Sequence, residues 1–184
     1  FYIFYWRMEE YIDILNAHGE PLNYSASRTE VHAKGLWHRT VHIWVFDLNG
    51  KILFQKRSLK KENHPGLLDT SCAGHISAGD DSRNAGVREL AEELGIVKKT
   101  EDLKFLFESK HETVLNNGTY LDNEYYDVYR VDLSLKEVEM LSPQKSELES
   151  LHWFSIKEFQ DLLEKEPSLF VEHPEDFKYL KRLG

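Results

Sequence analysis

Three glutamates recur at close spacing near the middle of the chain, at Glu89, Glu92 and Glu93. Apolar residues around them repeat with a helical period, so the sequence predicts a helix over Ala85–Leu94 with one buried face and the carboxylates on another side. That apolar stripe consists of Val87, Leu90, Ala91 and Leu94. Like charges at this spacing repel each other, and a divalent cation bound among them removes the repulsion. Oxygen-only ligands suit Mg²⁺ or Mn²⁺ better than zinc, although a solvated acidic helix face is the ordinary alternative.

The stretch from Gly74 to Ile96 resembles the Nudix box, G-x5-E-x7-R-E-U-x-E-E-x-G-U, in which U is aliphatic. The matching residues are Gly74, Arg88, Glu89, Leu90, Glu92, Glu93, Gly95 and Ile96. One position departs from the pattern, because Asp80 stands in place of the first glutamate. The resemblance implies that the helix glutamates and the Gly74 carbonyl hold the metal. It also implies that Asp80 pairs with Arg88 to brace the loop before the helix.

The same resemblance implies an enzyme that cleaves a diphosphate linkage. In this family, water attacks a nucleoside diphosphate derivative or a similar small organic diphosphate with the help of a divalent metal. We expect Arg88 and the box glutamates to carry catalysis, with Glu89 as one candidate general base. A glutamate from a later loop is the other candidate, and Glu147 and Glu149 precede a predicted strand that could approach the box. Surface charge on an edge strand is the plainer interpretation of both.

Basic residues end a predicted strand shortly before the box. Lys56 and Arg57 could meet the phosphate oxygens of a substrate there, Arg57 through two parallel hydrogen bonds. We therefore predict that Lys56, Arg57 and Glu147 bind the substrate. Solvated charge at a strand end is the alternative for the two basic residues. The Lys60-Lys61 pair that follows is expected to be solvated, although it could assist binding.

A second set of segments resembles the isopentenyl-diphosphate isomerases, which share the Nudix fold. The segments are LWHR, VHIWVFDLNGKILFQKRS, HPGLLDTSCAGH and DNEYYDVYRV. In those enzymes, histidines and two glutamates hold a metal. By this resemblance His38 and His75 occupy ligand positions, and His32 lies near a further one. Asp122 and Glu124 correspond to the acidic pair, although a single histidine is more often structural than ligating.

The cysteine separates the two resemblances. The isomerase pattern places its catalytic cysteine directly before the Gly-His pair, where this chain has Ala73. Cys72 lies one residue earlier, and neighbouring side chains of a strand point to opposite faces. We therefore predict that Cys72 is a small buried apolar residue. Hydrolysis is favoured, an isomerase-like enzyme is the alternative, and a diphosphate-binding module without turnover is a third possibility.

The overall composition restricts the classes of partner. With 184 residues and a net charge of −9, the chain is unsuited to binding nucleic acid or an anionic membrane, because phosphates would be repelled. No run approaches the roughly 18 apolar residues of a membrane span. The single cysteine excludes an internal disulfide and suits the reducing cytoplasm. The expected partner is a small-molecule diphosphate, and a homodimer is left open.

The predicted elements favour an α/β (α+β) fold, and the resemblance implies a Nudix-type α/β/α sandwich with a mixed central sheet. The predicted strands are Tyr11–Leu15, Val41–Phe46, Ile52–Lys56, Leu68–Ala73, Leu103–Val114, Glu124–Val131 and Leu148–Phe154. The predicted helices are Ser27–Ala33, Ala85–Leu94, Ile156–Glu164 and Glu175–Arg182. We expect one domain over 8–184, with its core at about 35–163 and the box at 74–96, preceded by a non-native or disordered extension over 1–7.

Overall fold

The computed structural model describes residues 9–184, so the extension predicted for 1–7 lies outside the described residues. The strands are β1 (Tyr11–Leu15), β2 (Pro21–Ser27), β3 (His38–Phe46), β4 (Ile52–Arg57), β5 (Leu68–Asp69), β6 (Cys72–His75), β7 (Lys104–Leu115), β8 (Tyr120–Asp132) and β9 (Leu148–Phe154). The helices are α1 (Arg28–Lys34), α2 (Ser82–Leu94), α3 (Leu135–Glu139), α4 (Ile156–Lys165) and α5 (Pro174–Lys181). Within this part of the chain, no helix is long and apolar enough to cross a membrane.

A mixed sheet organises the fold and confirms the predicted fold class. Its strand order is β5-β4-β3-β8-β7, with β6 paired to β3 and β9 paired to β4. Strands β3 and β8 run parallel, with His38 opposite Glu124, whereas the other pairs are antiparallel. Strands β3 and β4 follow each other along the chain but pair only next to the turn that joins them, at Phe46 and Ile52. Beyond that point β3 pairs with β6, and β4 pairs with β9.

Apolar clusters on the two faces of the sheet make the sandwich. Alternate residues of a strand face opposite sides. Accordingly Val41, Ile43 and Val45 pack in one cluster with helix α2 and Leu103, while Trp44 and Phe46 pack in the other with α4 and α5. The sequence of β3 therefore fixes which face each of its histidines, His38 and His42, can occupy, and both share the face of Trp44.

Helix α2, which carries the box glutamates, has well-defined ends. Asp81 caps its N-terminus by accepting hydrogen bonds from the backbone N–H groups of Arg83 and Asn84, and Gly95 ends it with φ of 71°. Leu90 and Leu94 are fully buried, as predicted, and each contributes roughly 1.5–3 kcal/mol of apolar burial. Ala91 was predicted to belong to the same stripe but is exposed. The buried face is instead completed by residues of the first turns, Ala85 and Gly86.

The strand predicted over Leu68–Ala73 is divided into two. Strand β5 pairs with β4, and β6 pairs with β3. Between them, the Ser71 hydroxyl donates to the Leu53 carbonyl and accepts from the Val45 N–H (2.8 Å), so it bridges two strands. This side chain lets the chain pass from one strand pairing to the next without leaving those backbone groups unsatisfied.

Candidate metal and diphosphate site

The box glutamates differ in their exposure. Glu89 and Glu93 are each only 9% exposed, whereas the Glu92 side chain is 56% exposed. The carboxylates therefore do not form the single patch predicted from their spacing, because Glu92 points about 100° away from Glu93 around the helix. Glu89 and Glu93 lie one turn apart and face strand β6. They are the box carboxylates that the fold brings together out of solvent.

Gly74 provides the space that the Glu89 carboxylate occupies. A Cβ atom at residue 74 would lie 2.2 Å from Glu89 Cδ and 2.3 Å from its Oε1. These separations are far below van der Waals contact, so any other residue would displace the carboxylate. The glycine is required here for close approach of a side chain, and the backbone of strand β6 thereby forms one wall of the carboxylate site.

The electrostatics of this pair fit a divalent cation. Burial raises the pKa of Glu89 to about 7, although the neighbouring Arg88 opposes the shift. Burial raises the pKa of Glu93 to about 8, and the charge of Glu89 adds to the effect. The Glu93 Oε2 atom is buried and has no hydrogen-bond partner among residues 9–184. Two adjacent buried carboxylates with an oxygen left unsatisfied are a donor set that a cation such as Mg²⁺ or Mn²⁺ would complete.

Arg88 braces the box in a different way from the one predicted. Its guanidinium lies 2.7 Å from Glu89 Oε1 and 3.4 Å from Glu92 Oε2, and it donates to the His75 carbonyl at 3.0 Å. Asp80 is exposed and accepts only the N–H of Asp81 in the described region. The predicted Asp80–Arg88 ion pair was therefore wrong, because Arg88 finds carboxylate partners on its own helix. A site role for Asp80 stays a prediction.

Histidines and carboxylates from four elements form a second cluster on the other face of the sheet. The group joins His32 of α1, His38 of β3, His75 of β6, and Asp122 and Glu124 of β8. Possible ligand atoms of His32, His38 and His75 all lie within 4.8 Å of one another, and so do those of His38, Asp122 and Glu124. The two imidazole Nε2 atoms of His32 and His75 are 3.1 Å apart. We refer to these five residues as the histidine centre.

Protonation in the histidine centre suits metal ligation. His38 Nδ1 lies 3.0 Å from the Leu36 carbonyl, which can only accept, so Nδ1 carries the proton and the Nε2 lone pair faces the cluster. Burial lowers the pKa of His38 and lowers that of His75 further, which favours neutral imidazoles. His38 Nε2 is buried without a hydrogen-bond partner in the described structure, and Asp122 Oδ1 lies 3.3 Å from His32 Nδ1 and 3.7 Å from His38 Nε2. An imidazole nitrogen left unsatisfied beside a carboxylate fits a bound cation.

The surroundings of the two carboxylates in the histidine centre shift their pKa values in opposite directions. Burial acts to raise the pKa of Asp122, but hydrogen bonding and the charge of His32 outweigh it, so the pKa is lowered. Burial and the charge of Asp122 raise the pKa of Glu124 to about 8. The sequence pointed to these two residues only through the isomerase resemblance. Register explains their assembly, because Glu124 lies directly opposite His38 in the β3–β8 pair.

The three residues predicted to bind the substrate, Lys56, Arg57 and Glu147, each have different neighbours. Arg57 donates to Asp69 Oδ2 (2.7 Å) and to the Asn63 carbonyl. Lys56 lies beside His152. Burial is the larger cause that lowers the pKa of His152, and the charge of Lys56 lowers it further. Glu147 pairs with Lys61, and its charge helps to raise the pKa of Glu93, so it lies near the box.

Lys61 was expected to be solvated, but its side chain is only 28% exposed. Its charge acts to lower the pKa of both Glu93 and His75. Lys60 is exposed as expected, whereas the chain turns back after β4 and brings Lys61 against Glu147.

Cys72 behaves as predicted. It is fully buried in the apolar cluster that includes helix α2. Burial, and then the charges of Glu93 and Glu89, raise the pKa of its thiol well above the ordinary value. A protonated thiol that packs against apolar side chains and hydrogen-bonds with the Glu93 carboxylate is a poor nucleophile. In the isomerase pattern the catalytic cysteine occupies the position of residue 73, which is alanine in this chain.

The mixed sheet between helices and the box glutamates held against Gly74 define an α/β/α sandwich with a candidate metal site. The NUDIX domain family model matches residues 36–173. The chain therefore belongs to the Nudix family and is a Nudix hydrolase, a class that cleaves diphosphate linkages and generally uses divalent metals.

Relatives in three organisms include two Nudix hydrolases and one isopentenyl-diphosphate isomerase. Nudix hydrolase 3 of Arabidopsis thaliana is 38% identical over 94% of this chain, which spans only 23% of the plant protein. An uncharacterised Nudix hydrolase of Clostridium acetobutylicum is 38% identical, with 85% of this chain and 75% of the relative covered. Isopentenyl-diphosphate Delta-isomerase 2 of Photorhabdus laumondii is 29% identical over 89% of this chain and 88% of its own length.

Solved structures share the fold. The crystal structure of DR0079 from Deinococcus radiodurans superposes with a TM-score of 0.65 at 17% identity, over 94% of this chain and 98% of that one. The NUDIX domain of Shewanella oneidensis NrtR, complexed with ADP ribose, gives a TM-score of 0.57 at 18% identity, with 79% and 88% covered. At these identities the similarity shows the fold alone.

Proposed function

We propose that this chain is a Mg²⁺- or Mn²⁺-dependent pyrophosphohydrolase that cleaves the diphosphate linkage of a nucleoside diphosphate derivative or a similar organic diphosphate. The observation that carries the proposal is the buried pair Glu89 and Glu93, held against Gly74 with one carboxylate oxygen unsatisfied. Such a pair is unfavourable without a cation. The ADP ribose bound to the NrtR domain makes that compound one candidate substrate.

Each box residue has a role in this proposal. Glu89, Glu93 and the Gly74 carbonyl would hold the cation, with Glu92 reaching it from the exposed side of α2. When bound, the cation would offset negative charge that develops on the diphosphate and would lower the pKa of a bound water. Arg88 orients Glu89 through their 2.7 Å contact. Glu89 and Glu147 are the candidate general bases, and Glu147 is supported by its electrostatic effect on Glu93.

Basic side chains beside the box would bind the diphosphate. Lys61 is the best supported of them, because its charge acts to lower the pKa of both Glu93 and His75. Arg57 would contribute through the part of its guanidinium that is not paired with Asp69. Lys56 stays a weaker candidate because its described neighbour is His152.

The histidine centre supports a second candidate function, an isomerase-like reaction on an isoprenoid diphosphate. Three imidazoles and two carboxylates would hold a second metal ion, for which imidazole ligands suit iron or zinc and carboxylates also admit manganese. This candidate lacks the cysteine that its reaction would need, because Ala73 has no thiol and the Cys72 thiol is buried and protonated. We therefore rank it second.

A substrate panel tests the proposal. The protein is incubated with Mg²⁺ or Mn²⁺ and with nucleoside and isoprenoid diphosphates, and products are followed by phosphorus NMR and mass spectrometry. Phosphate-bearing cleavage products that disappear in Glu93→Gln support hydrolysis. A moved double bond without new phosphate species would replace it with the isomerase, and tight binding without either reaction would indicate a binding module.

We also propose a cytoplasmic location, because Cys72 is unpaired and a reducing compartment suits a free thiol. Cell fractionation checks this. The homodimer left open by the sequence stays a prediction, and light scattering at assay concentration decides it.

A further inference from the structure

A buried carboxylate of the last helix reaches into the polar face of the sheet. Asp176, in the first turn of α5, has no exposed surface. Its Oδ2 accepts from Trp44 Nε1 (2.9 Å) and lies 3.2 Å from His42 Nδ1. Because a carboxylate ion only accepts, the proton of this second bond belongs to His42 Nδ1. The fixed tautomer leaves His42 Nε2 directed away from the helix.

The other edge of His42 faces the histidine centre. His42 Nε2 lies 4.0 Å from Glu124 Oε1. The imidazole stacks on the Tyr126 ring with centroids 4.3 Å apart and meets the His173 ring edge-on at 4.8 Å. These contacts leave the ring little freedom to rotate. A line of side chains therefore runs from Asp176 through His42 to Glu124, one of the five residues of the centre.

A second ion pair ties the start of α5 to the sheet. His173 Nε2 lies 2.6 Å from Asp69 Oδ1, and Arg57 donates to Oδ2 of the same carboxylate. The start of α5, His173–Asp176, is thus anchored at two points. The arrangement costs stability, because Asp176 Oδ1 is buried without a hydrogen-bond partner in residues 9–184. An apolar side chain would pack there without that cost.

We propose that Asp176 and His42 are positioning residues that hold the Glu124 carboxylate toward His38 and Asp122, which makes α5 part of the histidine centre. The proposal rests on the metal-binding role of that centre given under the proposed function. Partners beyond the ligands orient the ligands themselves, and their loss commonly lowers metal affinity by about 10- to 100-fold. A purely structural role would instead need Asp176 only as an anchor for Trp44 and α5.

Cobalt binding distinguishes the two roles. The metal-free chain is titrated with Co²⁺, and the ligand-field absorption that is lost in His38→Gln is assigned to the histidine centre. We expect Asp176→Asn and His42→Gln each to weaken this Co²⁺ binding about tenfold or more and to change the band shape. In the double variant the loss should not exceed that of the larger single variant, because both residues act through one contact.

Two control variants isolate the effect. Trp44→Phe removes the other donor to Asp176 and keeps an aromatic ring, and Glu175→Gln changes an exposed neighbour that pairs only with Lys178 in the described structure. Both should bind Co²⁺ like the unmodified chain, with thermal unfolding recorded for every variant. If Asp176→Asn fails to fold, His42→Gln carries the test.

The outcomes separate the inference from the function on which it rests. Folded Asp176→Asn and His42→Gln proteins that bind Co²⁺ with unchanged affinity and spectrum would overturn the inference and leave the histidine centre intact. An unmodified chain whose Co²⁺ signal is insensitive to His38→Gln would overturn the centre and, with it, the inference. The proposal that the box residues carry out hydrolysis would stand after either result.

Discussion

Replacing Gly74 by alanine tests whether the box carboxylates work only in the position that the glycine leaves open. The added Cβ would lie 2.2 Å from Glu89 Cδ and 2.6 Å from its Cγ. Nonbonded carbon atoms normally stay about 3.5 Å apart, so the carboxylate must withdraw by roughly 1 Å. The backbone at residue 74 is not in the left-handed region, so alanine itself causes no strain there.

The expected loss follows from that displacement. A misplacement of about 1 Å in a catalytic group costs on the order of a hundredfold in rate, or about 2.7 kcal/mol of transition-state stabilisation. Stability should change little, because a tolerated glycine-to-alanine change stabilises by about 0.4–1 kcal/mol through the unfolded chain and offsets part of the clash. We therefore expect turnover and Mn²⁺ affinity to fall while the thermal unfolding temperature stays nearly constant.

Turnover, calorimetric titration with Mn²⁺ and thermal unfolding are measured on Gly74→Ala, Glu89→Ala and the double variant. Without the Glu89 side chain the clash disappears, so the double variant should unfold at the same temperature as Glu89→Ala or above it. A Gly74→Ala protein that keeps turnover within about threefold of the unmodified chain, and binds Mn²⁺ normally, would show that this reasoning about the site is mistaken.

Three further predictions concern the same region. Glu92→Gln and Glu93→Gln should each lower turnover at least about a hundredfold. Glu93 is buried and Glu92 is not, so only Glu93→Gln should raise the unfolding temperature of the metal-free protein. Equal unfolding temperatures for the two variants would contradict the cost of burying Glu93. Cys72→Ala should leave hydrolysis nearly unchanged, since the thiol is buried and protonated, and a collapse of rate in a folded variant would favour the isomerase. The pKa of Glu93 in the folded protein, about 8, lies above its ordinary value of 4.5. The native state therefore holds a proton that the unfolded chain has lost, and the stability of the metal-free protein should fall as pH rises from about 5 to about 8. Unfolding in EDTA at each pH measures this, and a stability that rises across that range would refute it.

Elements with strong local signals could be predicted from the sequence. The periodic spacing of Leu90 and Leu94 located the box helix. The helix predicted over Ser27–Ala33 corresponds to α1, which Ser27 and Gly35 cap. Helix α3 was missed although its capping box is visible in the sequence, where Ser134 and Glu137 exchange hydrogen bonds at the helix start. Its five residues were too short for periodicity to show.

The parts that depend on long-range register could not be derived from local patterns. The histidine centre exists because parallel pairing sets Glu124 beside His38 and antiparallel pairing sets His75 beside Thr40. Nothing near His42 in the sequence indicates that Asp176, 134 positions later, will reach it. Alternation along β3 places His42 and His38 on one face, but the predicted strand began at Val41 and left His38 outside it.

The short strand β6 links the two centres, and its alternation explains how one segment serves both. Gly74 faces α2 and admits the Glu89 carboxylate, while the next side chain, His75, enters the histidine centre on the opposite face. Arg88 joins them, because it pairs with Glu89 and donates to the His75 carbonyl. A shift of Glu89 therefore acts on the backbone that carries His75. It follows that a change made for one centre, such as Gly74→Ala, should also alter Co²⁺ binding at the other, whereas Cys72→Ala, which faces the apolar cluster, should not.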